Sequence, residues 1–331
     1  MNYIGMDIHK QFTVAVVKDG QGTELADEKF ANSKDNFGKF LVNYLPNETK
    51  IVIESTGVWE YIYDILEEMH YEVKLANPVR TRAIAEARIK TDHVDAATLA
   101  DLLRANLVAE SYIPPKPIRR LREIVRERSV FVKQTTQIKN RIHALLVKRG
   151  MNLPAKTLCK SARLWLRQQP DERSMLKHYL NLLDYHEQEL DVLEKEICSI
   201  AEKDGDAQLL MTIPGIASIR AMDLLAEIGE ISRFPTADKL CSYAGLVPSV
   251  RQSGNTLHFG RLIKQSSKRL KSTLIETSWN LVTTRESNPL QEFYKRLAKK
   301  KGKQKAICAV ARKLCCVVHA MLRKKKEFIV L

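Results

Sequence analysis

The segment NYIGMDIHKQFTVAVVK, residues 2–18, holds two apolar runs separated by a short polar turn. Residues 2–7 and 11–18 predict two strands, the second with alternating apolar side chains. A third strand is expected over residues 22–31, after a turn that contains glycine. Three consecutive strands joined by short turns indicate an antiparallel meander, and the first of them ends on a carboxylate, Asp7.

Residues 33–107 alternate between helical and extended patterns. The expected elements, in order, are a helix from about Ser33, a strand at Ile51–Ile53 ending at Glu54, a helix over 57–70, a strand over 71–76, and helical structure over 79–107 with a break near Lys90-Thr91. Alternating units of this kind place helices on the faces of a sheet. The sequence therefore predicts an α/β domain built on a mixed sheet.

Four carboxylates fall where this fold would gather them. Asp7 and Glu54 lie in or at the tips of apolar strands, where a bare carboxylate is costly unless a cation or hydrogen bonds compensate it. Asp92 and Asp95 are three residues apart and share one face of a helix. Acids delivered from two strands and one helix can hold divalent cations at oxygen ligands, as Mg²⁺ requires. Taken singly, each acid could instead cap a helix or form a local ion pair, as Asp7 could with His9.

The charge of the chain is unevenly distributed. Of 54 Lys+Arg and 39 Asp+Glu, residues 1–110 hold 12 and 18, a net charge of −6, so residues 111–331 carry +21. An acidic front part joined to a basic remainder fits a catalytic unit attached to a part that grips phosphates. Pro114, Pro115 and Pro117 mark the boundary between them.

Three domains are expected: a catalytic α/β domain over 1–112, a helical coiled-coil region over 113–205 and a C-terminal domain over 206–331. In the middle region apolar residues recur at every seventh position in two series, which are Ile124, Phe131, Ile138 and Leu145, then Leu176, Leu183, Leu190 and Ile197. They predict two long helices that could pair with each other or with another subunit.

The C-terminal domain is expected to be mainly helical and to carry most nucleic-acid contacts. Residues 209–229 resemble a helix-hairpin-helix, in which Gly215 lets backbone N–H groups approach a phosphate, although a plain helical packing joint is the alternative. Ser253 follows in a Gln-Ser-Gly turn, where a serine is usually structural but where nearby cations would stabilise a phosphate under attack. The candidate phosphate-binding residues are Arg261, Lys264, Lys268, Arg269 and Lys271, expected on one basic helix, and Lys299, Lys300, Lys301, Lys303 and Lys305.

Six short motifs follow one another along the chain. They are Gly-Met-Asp-Ile-His-Lys at 5–10, Ile-Glu-Ser-Thr-Gly at 53–57, Lys-Thr-Asp-His-Val-Asp-Ala at 90–96, Ile-Pro-Gly-Ile at 213–216, Ala-Gly-Leu-Val-Pro at 244–248 and Gln-Ser-Gly at 252–254. Together they resemble the DEDD insertion-sequence transposases. That family pairs a resolvase-like N-terminal domain of the ribonuclease-H-like fold with a serine-bearing C-terminal domain.

The resemblance has several implications for the site and its partners. The four carboxylates would bind metal, with two Mg²⁺ ions flanking one phosphate. Ser253 would form a transient covalent bond to a DNA phosphate, with Ser249 as the alternative serine. His9 and His93 lie close to the acids in the sequence and could support them. A structured guide RNA would select donor and target DNA, and a dimer or tetramer would join the acids of one subunit to the serine of another.

These observations predict a transposase that cuts and rejoins DNA. One alternative is a Mg²⁺-dependent, structure-specific nuclease in which Ser253 is architectural. A second is a nucleic-acid-binding scaffold without catalysis. A sugar-kinase-like phosphotransferase is weaker still, because the glycine-rich phosphate loops of such enzymes are missing from the sequence.

The remaining composition bears on location. No apolar stretch approaches the roughly 20 residues of a membrane-spanning helix. The early Asp7 and the lack of a long apolar run argue against a signal peptide. The six cysteines show no CxxC spacing, which favours reduced thiols. We therefore expect a cytoplasmic, nucleoid-associated protein without membrane contact.

Overall fold

The computed structural model describes residues 1–85, 91–155, 157–169, 175–254, 256–284 and 288–328. The chain divides into two compact units, Met1–Ile113 and Pro114–Leu331. This division lies one residue after the first expected domain boundary. The scheme of three domains, with a second boundary after residue 205, stays a prediction.

The first unit is built on a five-stranded mixed sheet. Its strands are β1 (Asn2–Ile8), β2 (Phe12–Lys18), β3 (Glu24–Ala31), β4 (Thr49–Glu54) and β5 (Glu72–Ala76). They lie in the order β3-β2-β1-β4-β5. The meander β1-β2-β3 is antiparallel, whereas β4 and β5 run parallel to β1. The predicted mixed α/β sheet is therefore confirmed.

Helices cover both faces of this sheet. The helices of this unit are α1 (Lys34–Leu41), α2 (Trp59–Glu68), α3 (Pro78–Ile84) and α4 (Asp92–Arg104), of which α1 and α2 cover one face and α4 covers the other. On one face, Ile4, Met6, Ile51 and Ile53 pack in a core with side chains of α1 and α2. The predicted helical stretch 79–107 is thus two helices; of the expected break, Lys90 lies outside the described residues and Thr91 is the N-cap of α4.

The other face of the sheet packs directly on α4. Val52 of β4 lies in a core with Leu99 and Leu103 of this helix. Gly5 of β1 faces the helix backbone so closely that a Cβ there would lie 2.1 Å from the carbonyl oxygen of Ala96. A glycine at this position lets α4 approach the strand, and this approach brings the first turn of α4 to the end of the sheet.

The second unit is mostly helical. Its helices are α5 (Lys116–Lys148), α6 (Lys160–Arg167), α7 (Met175–Lys203), α8 (Gly205–Met211), α9 (Ser218–Ile228), α10 (Ala237–Tyr243), α11 (Lys268–Thr283), α12 (Pro289–Lys301) and α13 (Lys303–Lys324). It also contains a two-stranded hairpin of β6 (Pro248–Ser253) and β7 (Thr256–Leu262). This hairpin differs from the turn and basic helix that the sequence predicted for the segment.

The two long helices predicted from the heptads pair with each other. Ile138 and Leu146 of α5 share a core with Leu176 and Leu183 of α7, near the end of one helix and the start of the other. Arg128 donates to Glu194 at 2.6 Å, and Lys139 pairs with Glu187 at 3.0 Å. The helices therefore form an antiparallel hairpin within the chain, which is one of the two arrangements expected.

Helices α8 to α13 surround one large apolar core. It includes Leu210 of α8, Met222 of α9, Leu240 of α10, Leu274 of α11 and Leu314 of α13. Among the described helices, none has the length and apolar character that crossing a membrane would need.

Candidate functional site

Asp7 and Glu54 lie at the same end of the sheet because β1 and β4 are parallel neighbours. Met6 lies opposite Ile53 in the register, so Asp7 and Glu54 follow in step at the carboxyl ends of their strands. Since side chains alternate along a strand, both belong to the face that α4 covers and not to the face of Met6 and Ile53. The parallel pairing thus brings two of the four predicted acids side by side.

Helix α4 supplies the other two acids from its first turn. Its N-cap is Thr91, whose hydroxyl oxygen accepts a hydrogen bond from the backbone N–H of Val94 at 3.2 Å. Asp92 and Asp95 follow in the first turn, where unpaired backbone N–H groups favour negative charge. The helix therefore begins at the carboxyl end of β1 with its acids turned toward Asp7.

His9 joins the two elements through one nitrogen atom. Its Nε2 lies 3.2 Å from Oδ2 of Asp7 and 3.4 Å from Oδ2 of Asp92. One ligand atom from each of these three residues falls within 4.8 Å of the others. Asp7 is only 9% exposed, whereas His9 and Asp92 are partly open to solvent.

The surroundings of Asp7 disfavour the ionised form of its carboxyl group. Burial raises the pKa of Asp7 above its ordinary value. The neighbouring charge of His9 lowers that pKa, while the nearby Asp92 and Asp95 raise it further. A cation bound among these groups would relieve both the burial and the repulsion between carboxylates.

The donor set fits a divalent cation. Two carboxylate oxygens and an imidazole nitrogen are close enough to bind one ion, and a bound cation would stabilise the ionised form of the buried Asp7. Glu54 is adjacent to Asp7 in strand register, and Asp95 is close enough to influence the pKa of Asp7. All four predicted acids therefore come to one edge of the first unit.

Ser253 lies in the second unit, as the last residue of β6. It pairs with Thr256 across the hairpin, and Gly254 continues the turn with a φ of +56°. Ser253 is exposed, as are Arg251 beside it on the strand and His258 opposite Arg251. The hydroxyl of Ser249, the alternative serine, instead lies against Gly260 of β7. A Cβ on Gly260 would lie only 2.4 Å from that oxygen.

The predicted phosphate-binding residues do not share one helix. Arg261 lies in β7 and Lys264 in the segment after it, so only Lys268, Arg269 and Lys271 belong to the first turn of α11. The expected basic helix therefore begins later than the sequence suggested, because the strand pairing of the hairpin extends to Leu262. The terminal lysines Lys299, Lys300, Lys301, Lys303 and Lys305 are all exposed, around the junction of α12 and α13 at Gly302.

The segment resembling a helix-hairpin-helix does form two helices with a short connection. Helices α8 and α9 flank residues 212–217, and Gly215 has a φ of +84° in the connection. Gly215 also lies against α11, with Asn280 Cβ 3.5 Å from the position of an added Cβ. Contact of this turn with a phosphate stays a prediction.

Comparison with known proteins adds to this geometry. Residues 4–149 match the family model of the DEDD transposases of the IS110 type, which is described as a transposase. Residues 207–295 match a second model, described as transposase IS116/IS110/IS902 family. The two matches lie one after the other and include every acid of the site and Ser253.

The chain belongs to the IS110 family of DEDD transposases.

Relatives along the whole chain agree with this assignment. The chain is 29% identical to the pilin gene-inverting protein of Moraxella bovis, over 98% of this chain and 97% of that protein. It is 22% identical to the transposase for insertion sequence element IS1328 of Yersinia enterocolitica, over 98% of both chains. It is also 22% identical to the transposase for IS1111A of Coxiella burnetii, over 84% of this chain and 79% of that protein.

Membership in the IS110 family has direct consequences for activity. The chain is an enzyme that cleaves and rejoins DNA strands, so DNA is its substrate. A DEDD transposase domain implies the use of a divalent metal, and the donors at Asp7, His9 and Asp92 fit such an ion.

Two residues of the site had only weak signals in the sequence. His9 was expected at most to support the acids, yet its ring nitrogen lies between Asp7 and Asp92. Its position two residues after Asp7, at the end of a strand, was the available signal. The sequence pattern did not predict a structural role for Gly5, because its contact is with α4, a helix about 90 residues later in the chain.

Proposed function

We propose that Asp7, Glu54, Asp92 and Asp95 hold one or two Mg²⁺ ions and so position the DNA phosphate that is cut. The single observation that carries this proposal is the meeting of Asp7 and Asp92 at one imidazole nitrogen, at 3.2 and 3.4 Å. The bound ions would supply positive charge that stabilises the phosphate in the transition state. The strand order and the acids at the sheet edge support the ribonuclease-H-like fold expected for such a domain.

The protein groups around the ions have separate tasks. Asp7 is the buried anchor, and its raised pKa means that it is more readily protonated in the absence of a cation. Asp92 and Asp95 come from a helix terminus and lie closer to solvent, where a DNA backbone could approach. Glu54 extends the donor set along the sheet edge from the neighbouring strand.

Ser253 is the nucleophile in this proposal. Its hydroxyl oxygen forms a bond to the DNA phosphorus while the bond from phosphorus to a deoxyribose oxygen breaks. The serine proton leaves, and the departing deoxyribose oxygen takes up a proton. The phosphodiester is thus kept as a phosphoserine, until a deoxyribose hydroxyl of the second DNA attacks it and restores the serine.

The hairpin geometry supports Ser253 over Ser249. The side chain of Ser253 is exposed beside Arg251, and Arg261 lies further along the same hairpin, so cations are available for the phosphate. The hydroxyl of Ser249 is instead held over the backbone of Gly260. An exposed hydroxyl next to cations is what attack on a bulky DNA phosphate requires.

A covalent trapping experiment tests this role. The wild-type chain, Ser253→Ala and Ser249→Ala are incubated with donor DNA and Mg²⁺, and protein–DNA species that survive denaturation are counted on gels. We expect the species with wild type and Ser249→Ala and its loss with Ser253→Ala, while DNA binding persists. DNA cut by wild type without any such species would instead indicate the nuclease alternative.

We also propose that a guide RNA directs the enzyme to donor and target DNA. The support is the charge of +21 on residues 111–331, with exposed lysines at the end of α12 and the start of α13. Purification without nuclease, followed by sequencing of bound nucleic acid, should yield one discrete small RNA. Heterogeneous fragments alone would contradict guidance.

The active form is proposed to be a dimer or tetramer, working in the cytoplasm at the nucleoid. Leu182, Tyr185 and Val192 of α7 are 42, 54 and 59% exposed and follow a coiled-coil spacing on the side of α7 that α5 leaves uncovered. Light scattering of the purified chain should give at least twice the mass of 37.8 kDa. A monomer at micromolar concentration would contradict this assembly.

A further inference from the structure

The backbone of His9 is fixed by the turn between β1 and β2. Its N–H donates to the carbonyl of Phe12 at 2.9 Å, and its own carbonyl accepts from the amide of Asn32 at 2.8 Å. Asn32 is itself held, because its side-chain oxygen accepts from the hydroxyl of Thr13 at 2.7 Å. Contacts with the start of β2 and with the residue after β3 therefore determine where the side chain of His9 begins.

The ring of His9 is fixed as well. It stacks on Phe12 with the ring centroids 4.4 Å apart and the planes at 27°. The ammonium of Lys29 lies 3.8 Å from the centroid of the same Phe12 ring, which restrains that ring in turn. A side chain with both its backbone and its ring held is preorganised, as a metal ligand should be.

The Nε2 atom of His9, held in this way, lies close to two carboxylates at once. One Nε2–H could donate well to only one oxygen, yet Nε2 lies 3.2 Å from Asp7 and 3.4 Å from Asp92. Neighbouring ligand atoms around one octahedral ion are about 3 Å apart, given metal–ligand distances of about 2.1 Å. The two distances from His9 Nε2 are therefore close to those between neighbouring ligands of one ion, and the two carboxylate oxygens lie within 4.8 Å of each other.

We propose that His9 is a nitrogen ligand of the divalent cation held by Asp7 and Asp92, and that it makes this site bind Mn²⁺ more tightly than Mg²⁺. The inference rests on the proposed metal-binding function of the acids. It goes further by assigning a ligand outside the four carboxylates and a metal preference.

The preference follows from the chemistry of the donor. Mg²⁺ strongly favours oxygen ligands and gives up its water reluctantly, so an imidazole contributes little to its binding. Transition metals accept imidazole nitrogen readily, and Mn²⁺ also keeps the affinity for carboxylates that this site requires. A mixed set of two carboxylates and one imidazole therefore raises the affinity for Mn²⁺ relative to an all-oxygen site.

Metal binding by four full-length chains tests the proposal: wild type, His9→Asn, His93→Asn and Asp7→Asn. His93 is the matched control because it adjoins Asp92 in the sequence, yet its Nε2 lies 3.1 Å from Glu24 instead. Mn²⁺ affinity is measured by calorimetry and Mg²⁺ affinity by competition. Spin-echo spectroscopy of bound Mn²⁺ detects the nitrogen of a coordinated imidazole directly.

We expect His9→Asn to weaken Mn²⁺ binding by about tenfold or more, with a clearly smaller effect on Mg²⁺. The nitrogen signal should be present in wild type and His93→Asn and absent in His9→Asn. An unchanged ratio of the two affinities, or no nitrogen signal in wild type, would overturn the ligand role of His9. If Asp7→Asn also left Mn²⁺ binding unchanged, the proposed function of the acids would fail separately. Melting curves in chelator confirm that each variant is folded.

Discussion

Substitution of Gly5 by alanine tests how the site is assembled without touching any of its ligands. Gly5 lies in β1 two residues before Asp7, against the backbone of α4. The same helix carries Asp92 and Asp95 in its first turn. A side chain at position 5 would therefore push apart β1 and α4, the two elements that supply these acids.

The required separation of β1 and α4 follows from the contacts of the added side chain. An added Cβ would lie 2.1 Å from the carbonyl oxygen of Ala96 and 2.5 Å from the backbone nitrogen of Ala100. Restoring ordinary contact requires strand and helix to separate by about 1 Å, and overpacking of this kind costs about 1–3 kcal/mol of unfolding free energy. The first turn of α4 should move with the helix, and Mg²⁺ tolerates little departure from ideal ligand geometry. We expect metal affinity to fall by about tenfold or more.

Two measurements follow both effects. Thermal melting in chelator should show a lower midpoint for Gly5→Ala, by about 4 °C or more. Calorimetry with Mg²⁺ should show the weaker binding, although every ligand is still present. The matched control is Gly20→Ala in the β2–β3 turn of the same unit, because a Cβ there would meet no atom of the described residues within 4 Å.

The outcome can contradict this reasoning in two ways. If Gly5→Ala binds metal as wild type does, the approach of α4 to β1 does not set the ligand geometry. If Gly20→Ala is equally damaging, the loss reflects a general sensitivity of the unit to side chains in place of glycine.

Two further changes alter titrating groups. Asp7→Asn should raise the melting temperature in chelator at pH 7, because burial raises the pKa of Asp7 and its ionised form therefore destabilises the fold. This gain should vanish at acidic pH, and added metal should no longer stabilise the variant. A lower melting temperature for Asp7→Asn at pH 7 would contradict this. Asp223, near Arg128, Arg220 and Arg269, has its pKa raised to about 6, mainly by burial. Its ionisation should cost stability as pH rises toward 6, so Asp223→Asn should gain about 3 kcal/mol at pH 7.5 but only about 1 kcal/mol at pH 4.5. Urea unfolding at both values tests this, and an equal gain at both would refute it.

The sequence contained most of the information about the first unit. Alternating apolar residues predicted the strands, and the order of strands and helices predicted the mixed sheet that the structure has. The acids could be related to one another because Asp7 and Glu54 follow short apolar runs, while the spacing of Asp92 and Asp95 places both on one helix face. The chain's family was likewise available from short motifs in order.

The hairpin of β6 and β7 was less accessible. Val250, Leu257 and Phe259 are 54, 49 and 67% exposed, so the strands bury little and lack the pattern that a core imposes. The pairing of the two strands runs from Pro248 and Leu262 at one end to Ser253 and Thr256 at the other. It depends on backbone hydrogen bonds between the strands, which sequence patterns do not reveal.

The geometry of the candidate metal site was determined only by tertiary packing. That Asp7 belongs to a strand follows from the residues around it, but its distance from Asp92 depends on the lack of a side chain at Gly5. The position of His9 depends equally on contacts outside its own strand, because its ring stacks on Phe12 and its backbone carbonyl accepts from the side chain of Asn32. Local patterns specify which element a residue joins, because they follow from short-range periodicity. Coordination requires atoms placed to within a fraction of an ångström, and only contacts between elements distant in the chain impose that precision.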